Sequence, residues 1–179
     1  MVLRGIRIAE VRVRFPISPP GYLMFKITII TLGKFKEQAF KDLEQEYLKR
    51  LRPFAKVKII ELPEIGYKQG QNLEKVKELE AEKIIKQLPE GGIVILLEEK
   101  GSARNSADFA KFIERVGGLG KELVFVIGSG VGLHQSLRPY SNYSISLSPL
   151  TFTHNFARVL LEEQIYRACT ILGGKEYHK

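Results

Sequence analysis

The amino-acid sequence predicts an α/β domain in which a parallel-rich sheet is covered by helices on both faces. Two observations lead to this fold class. The segments at residues 93–97 and Leu123–Ile127 are apolar at every position, which is typical of strands that are buried on both faces. Such segments alternate along the chain with stretches of helical spacing, and this alternation favours parallel strands joined by crossover helices.

The strands are predicted where aliphatic, β-branched and aromatic residues cluster between turn signals. The first, Phe25–Leu32, follows a break made by Pro16, Pro19, Pro20 and Gly21. The pair Gly91-Gly92 introduces the third. The predicted strands are Phe25–Leu32 and residues 57–62, 93–97, 123–127 and 143–147.

The helices are predicted from apolar spacing and from their end signals. Gln38–Leu51 ends before Pro53. Asn105 stands three residues before Asp108, a spacing close to that of a capping box, ahead of a helix predicted to run to about Val116. Residues 72–88 carry Lys and Glu on the face opposite the apolar one, and that charged face is predicted to be solvated. Two further helices are predicted, a short one at residues 133–137 and a long one at 155–172. The apolar face of residues 72–88 consists of Leu73, Val76, Leu79, Ile84, Ile85 and Leu88.

Composition limits the class of protein. At 179 residues, with 44% hydrophobic and 27% charged residues, the chain fits one soluble domain. Its net charge of +8 favours an anionic partner, nucleic acid first, although a generically basic surface would give the same value. Cys169 is the only cysteine, so the chain can form neither an internal disulfide nor a cysteine zinc cluster. We expect a buried, inert thiol there and a reducing, cytoplasmic setting.

Residues 1–23 are predicted to be a basic leader outside a single compact domain at residues 24–179. Four arginines and one glutamate give this segment +3 of the net charge, and the arginines interrupt the apolar core that a signal peptide needs. It reads as an extension from an upstream start codon; the alternatives are a basic arm that touches RNA and an extra edge strand. No apolar run reaches the length of a membrane-spanning helix, so we expect no membrane partner.

Three predicted strands end in segments that suit a ligand. In parallel sheets, ligands bind beyond the carboxyl ends of the strands. Leu97 is followed by a charged segment, the fourth strand by the glycine-rich loop Gly128–Gly132, and the fifth by a loop rich in hydroxyl groups at residues 147–153. We therefore expect these three strand ends to form one site for a polar cofactor.

The glycine-rich loop does not match a nucleotide-binding fingerprint. Its spacing is G-x-G-x-G, and Leu133 stands where the third glycine of a dinucleotide fingerprint should be. It also lacks the Lys and Ser/Thr of a phosphate-binding P-loop. On its own the loop is best interpreted as a tight turn from a strand into a helix.

Four segments of the chain are specific in combination: Phe125-Val126-Ile127-Gly128, Leu147-Ser148-Pro149-Leu150-Thr151-Phe152-Thr153-His154, Arg158-Val159-Leu160-Leu161-Glu162-Glu163-Gln164-Ile165-Tyr166-Arg167-Ala168 and Tyr177-His178-Lys179. Taken together, they resemble the ribosomal RNA large subunit methyltransferase H family of the knotted SPOUT methyltransferases. The resemblance runs from Met24 to Lys179. Two features depart from the family: Ser129 stands where a second adjacent glycine is usual, and residues 1–23 have no counterpart.

This resemblance implies a fold, an activity and a cofactor site. It implies a deep C-terminal trefoil knot and a homodimer that acts on the ribosome, methylating N3 of a pseudouridine in large-subunit rRNA with S-adenosylmethionine. Backbone groups would bind the adenine edge while Leu97, Leu147 and Leu150 enclose its faces. By match to the family, the cofactor-binding residues are Leu97, Gly128, Leu147, Ser148, Pro149, Leu150, Thr151 and Phe152.

The chemistry needs alignment and a proton acceptor. A methyl group on a sulfonium is already electrophilic, so we expect no metal. The N3 proton must leave, and His154 and His178 are the candidate bases by residue type. His154 could equally cap or pack at the start of a helix, and Tyr177 could stack on an RNA base or pack on the surface. Lys179 is predicted to contact RNA phosphate.

Arg158 and Arg167 lie on the last helix, where either RNA phosphates or salt bridges across a dimer would suit them; we assign Arg158 to RNA. The same helix is apolar nearly all round, which predicts that part of it lies in a two-fold interface. Two other functions stay open from sequence. One is a noncatalytic ribosome-associated RNA-binding factor of the same fold, and the other is an α/β enzyme with a nucleotide cofactor at Gly128–Gly132.

Overall fold

The computed structural model describes residues 24–118 and 120–174. Over these residues the chain forms one five-stranded sheet in which every pair of neighbouring strands is parallel, in the order β2-β1-β4-β3-β5. Residues 1–23 and 175–179, which include the predicted leader and the Tyr177, His178 and Lys179 tail, lie outside the described residues.

The predicted elements are all present, with changes at their ends that are largest in β3. The fourth helix begins at His154, one residue earlier than predicted, and the short helix after the glycine-rich loop is a 3-10 helix. In chain order the elements are β1 (Phe25–Leu32), α1 (Gln38–Leu51), β2 (Ala55–Leu62), α2 (Leu73–Ile85), β3 (Ile93–Ala103), α3 (Ser106–Gly117), β4 (Leu123–Ile127), the 3-10 helix (Gln135–Tyr140), β5 (Tyr143–Ser146) and α4 (His154–Leu172).

Apolar residues fill both sides of the sheet, as the sequence predicted. On one side α1, α3 and α4 pack over Ile27, Ile95 and Phe125. On the other side α2 and the 3-10 helix pack over Ile30 and Val126. Both faces of the central strands are therefore shielded from water, which explains why β4 and the first five residues of β3 are continuously apolar.

Strand β3 is longer than predicted because it continues beyond its apolar part. Leu97 and Ser102 both pair with Ile145 of β5, so the residues between them form a bulge. Gly101 lies against the neighbouring strand there, and a Cβ at this position would come within 2.4 Å of the carbonyl carbon of Ile145. The bulge therefore needs a glycine, and the polar residues after Leu97 remain part of the sheet.

Helix α2 corrects the predicted division into apolar and charged faces. Leu73 and Leu79 are exposed, whereas Glu80 is 2% exposed. The start of α3 agrees with the prediction, since the Asn105 side chain accepts a hydrogen bond from the Asp108 backbone N–H at 2.8 Å.

A buried ionic cluster joins α4 to α1 and β2. The Arg158 side chain forms ion pairs with Glu44 of α1 and with Glu61 of β2 at 2.8 Å, and its Nε lies 3.7 Å from the Glu162 carboxyl group one turn further along α4. Its guanidinium carbon also lies 4.2 Å from the centre of the Phe35 ring. One guanidinium thus holds three elements together in the interior, where an unpaired charge would be costly.

Glu162 should make stability depend on pH. Burial, followed by the nearby Glu44 carboxylate, raises the pKa of Glu162 from 4.5 to about 9. Between these values the folded chain keeps a proton that the unfolded chain has lost. The free energy of unfolding should therefore fall as pH rises through this window, by at most about 1.4 kcal/mol per pH unit. Denaturant unfolding from pH 5 to 9 should show a flatter dependence in Glu162→Gln than in the wild type, and parallel curves would contradict the buried protonated acid.

Candidate functional site

The three strand ends predicted to form a site are adjacent in the sheet. Leu97 of β3 pairs on one side with Ile127 of β4 and on the other with Ile145 of β5. Gly128 directly follows the first partner, and Leu147 comes two residues after the second. Parallel pairing thus brings Leu97, Gly128 and the loop at residues 147–152 to one edge of the sheet.

A carboxylate fixes this edge. Glu98, immediately after Leu97, accepts hydrogen bonds from the Ser144 hydroxyl of β5 at 2.5 Å and from the Arg138 guanidinium at 3.1 Å. Arg138 belongs to the 3-10 helix that follows the glycine-rich loop. Strand β3, strand β5 and the segment after β4 are therefore tied together beside the predicted cofactor residues.

The glycine-rich loop folds back on itself. Ser129 and Gly132 form an antiparallel bridge, and the Gly132 N–H donates to the Ser129 carbonyl at 3.0 Å. A Cβ at Gly128 would lie 2.9 Å from the carbonyl carbon of Gly132, whereas one at Gly130 would meet nothing within 4 Å. The two glycines therefore differ: Gly128 is needed for the close approach of two backbone segments, and Gly130 is not.

The loop after β5 is shaped by its own serines. The Ser146 hydroxyl donates to the Ser148 carbonyl at 2.8 Å, and the Leu150 N–H donates to the Ser148 hydroxyl at 3.0 Å. Leu150 is 71% exposed, and Phe152 is also exposed. Apolar side chains held open on a turn can cover a flat ring, so the loop has the residue types that the cofactor prediction requires.

His154 lines a cavity beside the glycine-rich loop. The cavity has a volume of about 200 Å³. The imidazole Nε2 lies 3.4 Å from a carboxylate oxygen of Glu64, and α4 is capped by Thr153, whose hydroxyl accepts from the Phe156 N–H. The capping role that the sequence left open for His154 is therefore filled by its neighbour. The lining residues are Glu64, Ile65, Tyr67, Glu80, Ser129, Gly130 and His154.

Glu80 joins this cavity to the glycine-rich loop and was missed from the sequence. Its two carboxylate oxygens accept a hydrogen bond from the Ile65 N–H at 2.9 Å and one from the Ser129 hydroxyl at 2.7 Å. Ser129, the departure from the usual second glycine, thus has a specific buried partner. The relevant signal in the sequence was a hydroxyl in a glycine-rich loop, but the partner lies 49 residues earlier and no local spacing links the two.

We expect the hydrogen bond between Ser129 and Glu80 to position the glycine-rich loop. Ser129→Ala leaves the buried Glu80 carboxylate short of a donor, and losing a hydrogen bond to a charged group costs about 1.5–3 kcal/mol. The expected result is weaker binding of a ligand at this loop together with lower thermal stability. Calorimetry and thermal unfolding of Ser129→Ala measure both quantities. Lys75→Ala, on the exposed side of α2, is the control, and equal behaviour of the two variants would contradict the positioning role.

The structure does not support the prediction that Arg158 contacts RNA. The residue is 2% exposed and its guanidinium is paired with the Glu44 and Glu61 carboxylates, so no phosphate can reach it. Arg167 is paired with Glu163 on the same helix. Cys169 is buried, and burial raises the pKa of its thiol to about 12, as expected for an inert side chain. The assignments for Tyr177, His178 and Lys179 stay predictions, since these residues lie outside the described ranges.

Other elements of the same chain cover most of α4. The apolar circumference of this helix is therefore weaker support for a dimer than the sequence indicated. Helices α1 and α3 flank it, and Phe156 is its exposed large apolar residue. In the described part of the chain, no group of three His, Cys, Asp or Glu side chains gathers in a way that could hold a metal ion, and no helix has the length and apolar character for crossing a membrane.

Three curated bacterial proteins are similar to this chain over most of its length. Each carries the name ribosomal RNA large subunit methyltransferase H. The protein of Caldicellulosiruptor saccharolyticus is 40% identical over 153 residues, and those of Halothermothrix orenii and Clostridium acetobutylicum are each 39% identical over 158 and 157 residues. Each alignment covers 86% of this chain and 99% of the relative.

Two further comparisons concern the family and the fold. The family model described as "Predicted SPOUT methyltransferase" matches residues 25–178. A crystal structure of the SpoU methyltransferase AviRb from Streptomyces viridochromogenes, in complex with the cofactor AdoMet, is similar over 80% of this chain and 57% of its own, with 12% identity and a TM-score of 0.41. That structural similarity is too distant to inform the site. The family match and the three relatives confirm the resemblance found in the sequence: the chain belongs to the SPOUT methyltransferase family, in the group of the ribosomal RNA large subunit methyltransferase H proteins.

Proposed function

We propose that this protein transfers a methyl group from S-adenosylmethionine to N3 of a pseudouridine in large-subunit rRNA, on the ribosome. One observation carries the proposal. The ends of β3, β4 and β5 meet at Leu97, Gly128 and Leu147, and a cavity containing His154 opens beside the same glycine-rich loop. A place for a polar cofactor thus lies next to a place for the nucleobase that accepts the methyl group, as a transfer between the two requires.

The residues at the strand ends fit the cofactor. Gly128 lacks the Cβ that would collide with the Gly132 backbone, so the loop can stay tight and present its backbone groups to a ligand. Leu97 and Leu147 are partly exposed at the same edge, and Leu150 is exposed on the following turn. Apolar side chains of this kind suit the faces of an adenine ring, and backbone N–H and C=O groups suit its edge.

The cofactor supplies a methyl group on a positively charged sulfur. During transfer the acceptor N3 forms a bond to the methyl carbon, the carbon–sulfur bond breaks with its electrons staying on sulfur, and the N3 proton leaves. His154 is the proposed acceptor of that proton, because Glu64 lies 3.4 Å from its Nε2 and would stabilise the charge that the ring gains. No step of this kind needs a metal.

The decisive experiment is methyl transfer from labelled S-adenosylmethionine to large ribosomal subunits from a strain that lacks this gene. Mass spectrometry of the digested RNA should place one methyl group on N3 of a pseudouridine. If the protein binds the cofactor but methylates neither the subunit nor the whole ribosome, the proposed activity is rejected and the noncatalytic alternative is favoured.

If His154 accepts the N3 proton, His154→Asn should lower the rate of methyl transfer about 10²–10⁴-fold and leave cofactor affinity unchanged.

The C-terminal tail gives a further prediction. Deleting Tyr177, His178 and Lys179 should lower the rate of methyl transfer by roughly 100-fold or more. The nucleobase that accepts the methyl group would no longer be held in line with the methyl donor. Cofactor affinity and melting temperature should change little. A single-turnover assay beside calorimetry of the truncated protein tests this. Normal turnover would leave the tail without a function, and joint loss of binding and turnover would make it a lid over the cofactor.

We also propose a homodimer and a cytoplasmic location with the ribosomes. Leu150, Phe152 and Phe156 are exposed large apolar residues on and just before α4, and exposed apolar residues that are close together in the chain suit an interface between copies. A monomer at micromolar concentration in light scattering would contradict the dimer.

A further inference from the structure

A second concave surface lies between the end of β3 and helix α3 and is basic. It is a cavity of about 560 Å³, within the size range of ligand pockets. Arg104, Lys111 and Arg115 are set there against a single carboxylate, Asp108, which pairs with Lys111 at 3.5 Å. We call this surface the Arg104 groove. Its lining residues are Ala103, Arg104, Asn105, Asp108, Lys111, Phe112 and Arg115.

Two guanidinium groups share one ring in this groove. The guanidinium carbons of Arg104 and Arg115 lie 4.8 Å and 5.9 Å from the centre of the buried Phe112 ring. Cation–π contact with the ring holds both groups without using their N–H donors. Both groups are positively charged, so an anion in the groove would be attracted to the two together.

In the described part of the chain, these two arginines lack the carboxylate partners that most of the other arginines have. Arg50, Arg138 and Arg167 each pair with a carboxylate. In residues 24–118 and 120–174, neither Arg104 nor Arg115 is within ion-pair distance of a carboxylate, and the Arg104 Nε is buried without a hydrogen-bond partner. A buried donor without an acceptor is uncommon in a folded protein, so the groove has unused capacity for an anionic ligand.

The groove adjoins the proposed active site through the backbone. Ala103, at the end of β3, pairs with Ser146 at the end of β5, and Leu147 of the cofactor loop comes next. A polynucleotide that enters the active site can therefore continue across Arg104 and α3. We propose that the Arg104 groove binds the phosphodiester backbone of the RNA substrate; this inference rests on the proposed function and names a surface of that RNA site.

Charge removal tests the groove. In Arg104→Gln/Arg115→Gln, affinity for large ribosomal subunits should fall at least about tenfold. The slope of log K against log salt should shrink by about 1.4–1.8, the value for two lost phosphate contacts. The matched control is Lys26→Gln/Lys56→Gln, which removes two exposed charges at the amino ends of β1 and β2, away from the site. An unchanged slope in the groove variant, or an equal change in both variants, would overturn the proposal.

A crosslink identifies the partner. Cys169 is buried with a thiol pKa raised to about 12, so in Lys111→Cys the new cysteine is the reactive one. Lys111 is 76% exposed in its side chain. A benzophenone attached there should form adducts with rRNA in large subunits, and the same probe in Lys26→Cys should not. Adducts with a ribosomal protein, or none above the control, would overturn the proposal.

Cofactor binding and methyl transfer separate this inference from the proposed function. The groove variant should bind S-adenosylmethionine like the wild type and should methylate subunits with a raised KM and nearly unchanged kcat. If the wild type transfers no methyl group, the proposed function fails whatever the variant does. If the wild type is active and the variant has the same KM, the groove alone is refuted. Loss of cofactor affinity in the variant would instead assign the groove to the cofactor site and refute it as an RNA surface.

Discussion

Replacing Gly128 with valine should abolish measurable binding of S-adenosylmethionine. Even the first atom of the new side chain would lie 2.9 Å from the Gly132 carbonyl carbon and 3.1 Å from a methyl group of Leu133. Because the first obstacle is backbone, the loop must open to accommodate the side chain, and opening moves the groups that would hold the cofactor. We expect affinity to fall by at least about 100-fold, or about 2.8 kcal/mol, when measured by calorimetry.

A neighbouring glycine provides the control for this experiment. Gly130→Ala adds a Cβ that meets nothing within 4 Å, so its affinity should stay within about threefold of the wild type, a difference of about 0.7 kcal/mol. Circular dichroism and thermal unfolding of Gly128→Val show whether the fold persists. A folded Gly128→Val that binds the cofactor normally would mean that the glycine-rich loop is not part of the cofactor site.

Removing Arg158 should be among the most destabilising changes to the chain. Arg158→Ala leaves Glu44 and Glu61 without their buried counter-charge, and breaking a buried ion pair in this way costs about 3–5 kcal/mol. Denaturant unfolding at pH 7.5 measures the loss.

Two variants keep the Arg158 experiment interpretable. Arg158→Lys preserves the charge but not the planar fork, and should fall between Arg158→Ala and the wild type. Lys75→Ala breaks an exposed pair with Glu78 and should cost less than about 1 kcal/mol. A loss in Arg158→Ala no larger than that of Lys75→Ala would show that the buried cluster adds nothing to stability.

The fold could be predicted because its strands can be recognised from local patterns in the sequence. β1 and β4 have the same bounds as the predicted strands, since β4 is continuously apolar, β1 is rich in apolar and β-branched residues, and both are sharply bounded. β3 was predicted too short because Glu98 and Lys100 end the apolar run, although bulged pairing with β5 continues to Ala103. Pairing beyond a bulge depends on the neighbouring strand, which local hydrophobicity does not report. The trefoil knot implied by the resemblance stays a prediction.

The site was predicted in part for the same reason. Strand ends of a parallel sheet share an edge, so the meeting of Leu97, Gly128 and Leu147 follows once the strands are known. Arg158 was assigned wrongly because a cation on a terminal helix looks the same in sequence whether it faces solvent or the interior. Glu80 was missed because the charged residues of α2 were all assigned to a solvated face. Its partner Ser129 also lies far along the chain.

The order of strands in the sheet also determines when the chain can fold during synthesis. β1 lies between β2 and β4, and Ile27 pairs with Leu123, 96 residues later. At synthesis rates of about 5–20 residues per second, one edge of β1 stays unpaired for roughly 5–20 s until β4 has been made. We expect the nascent chain to depend on a holding chaperone over that interval, and refolding of the isolated protein to be slow and prone to aggregation at high concentration.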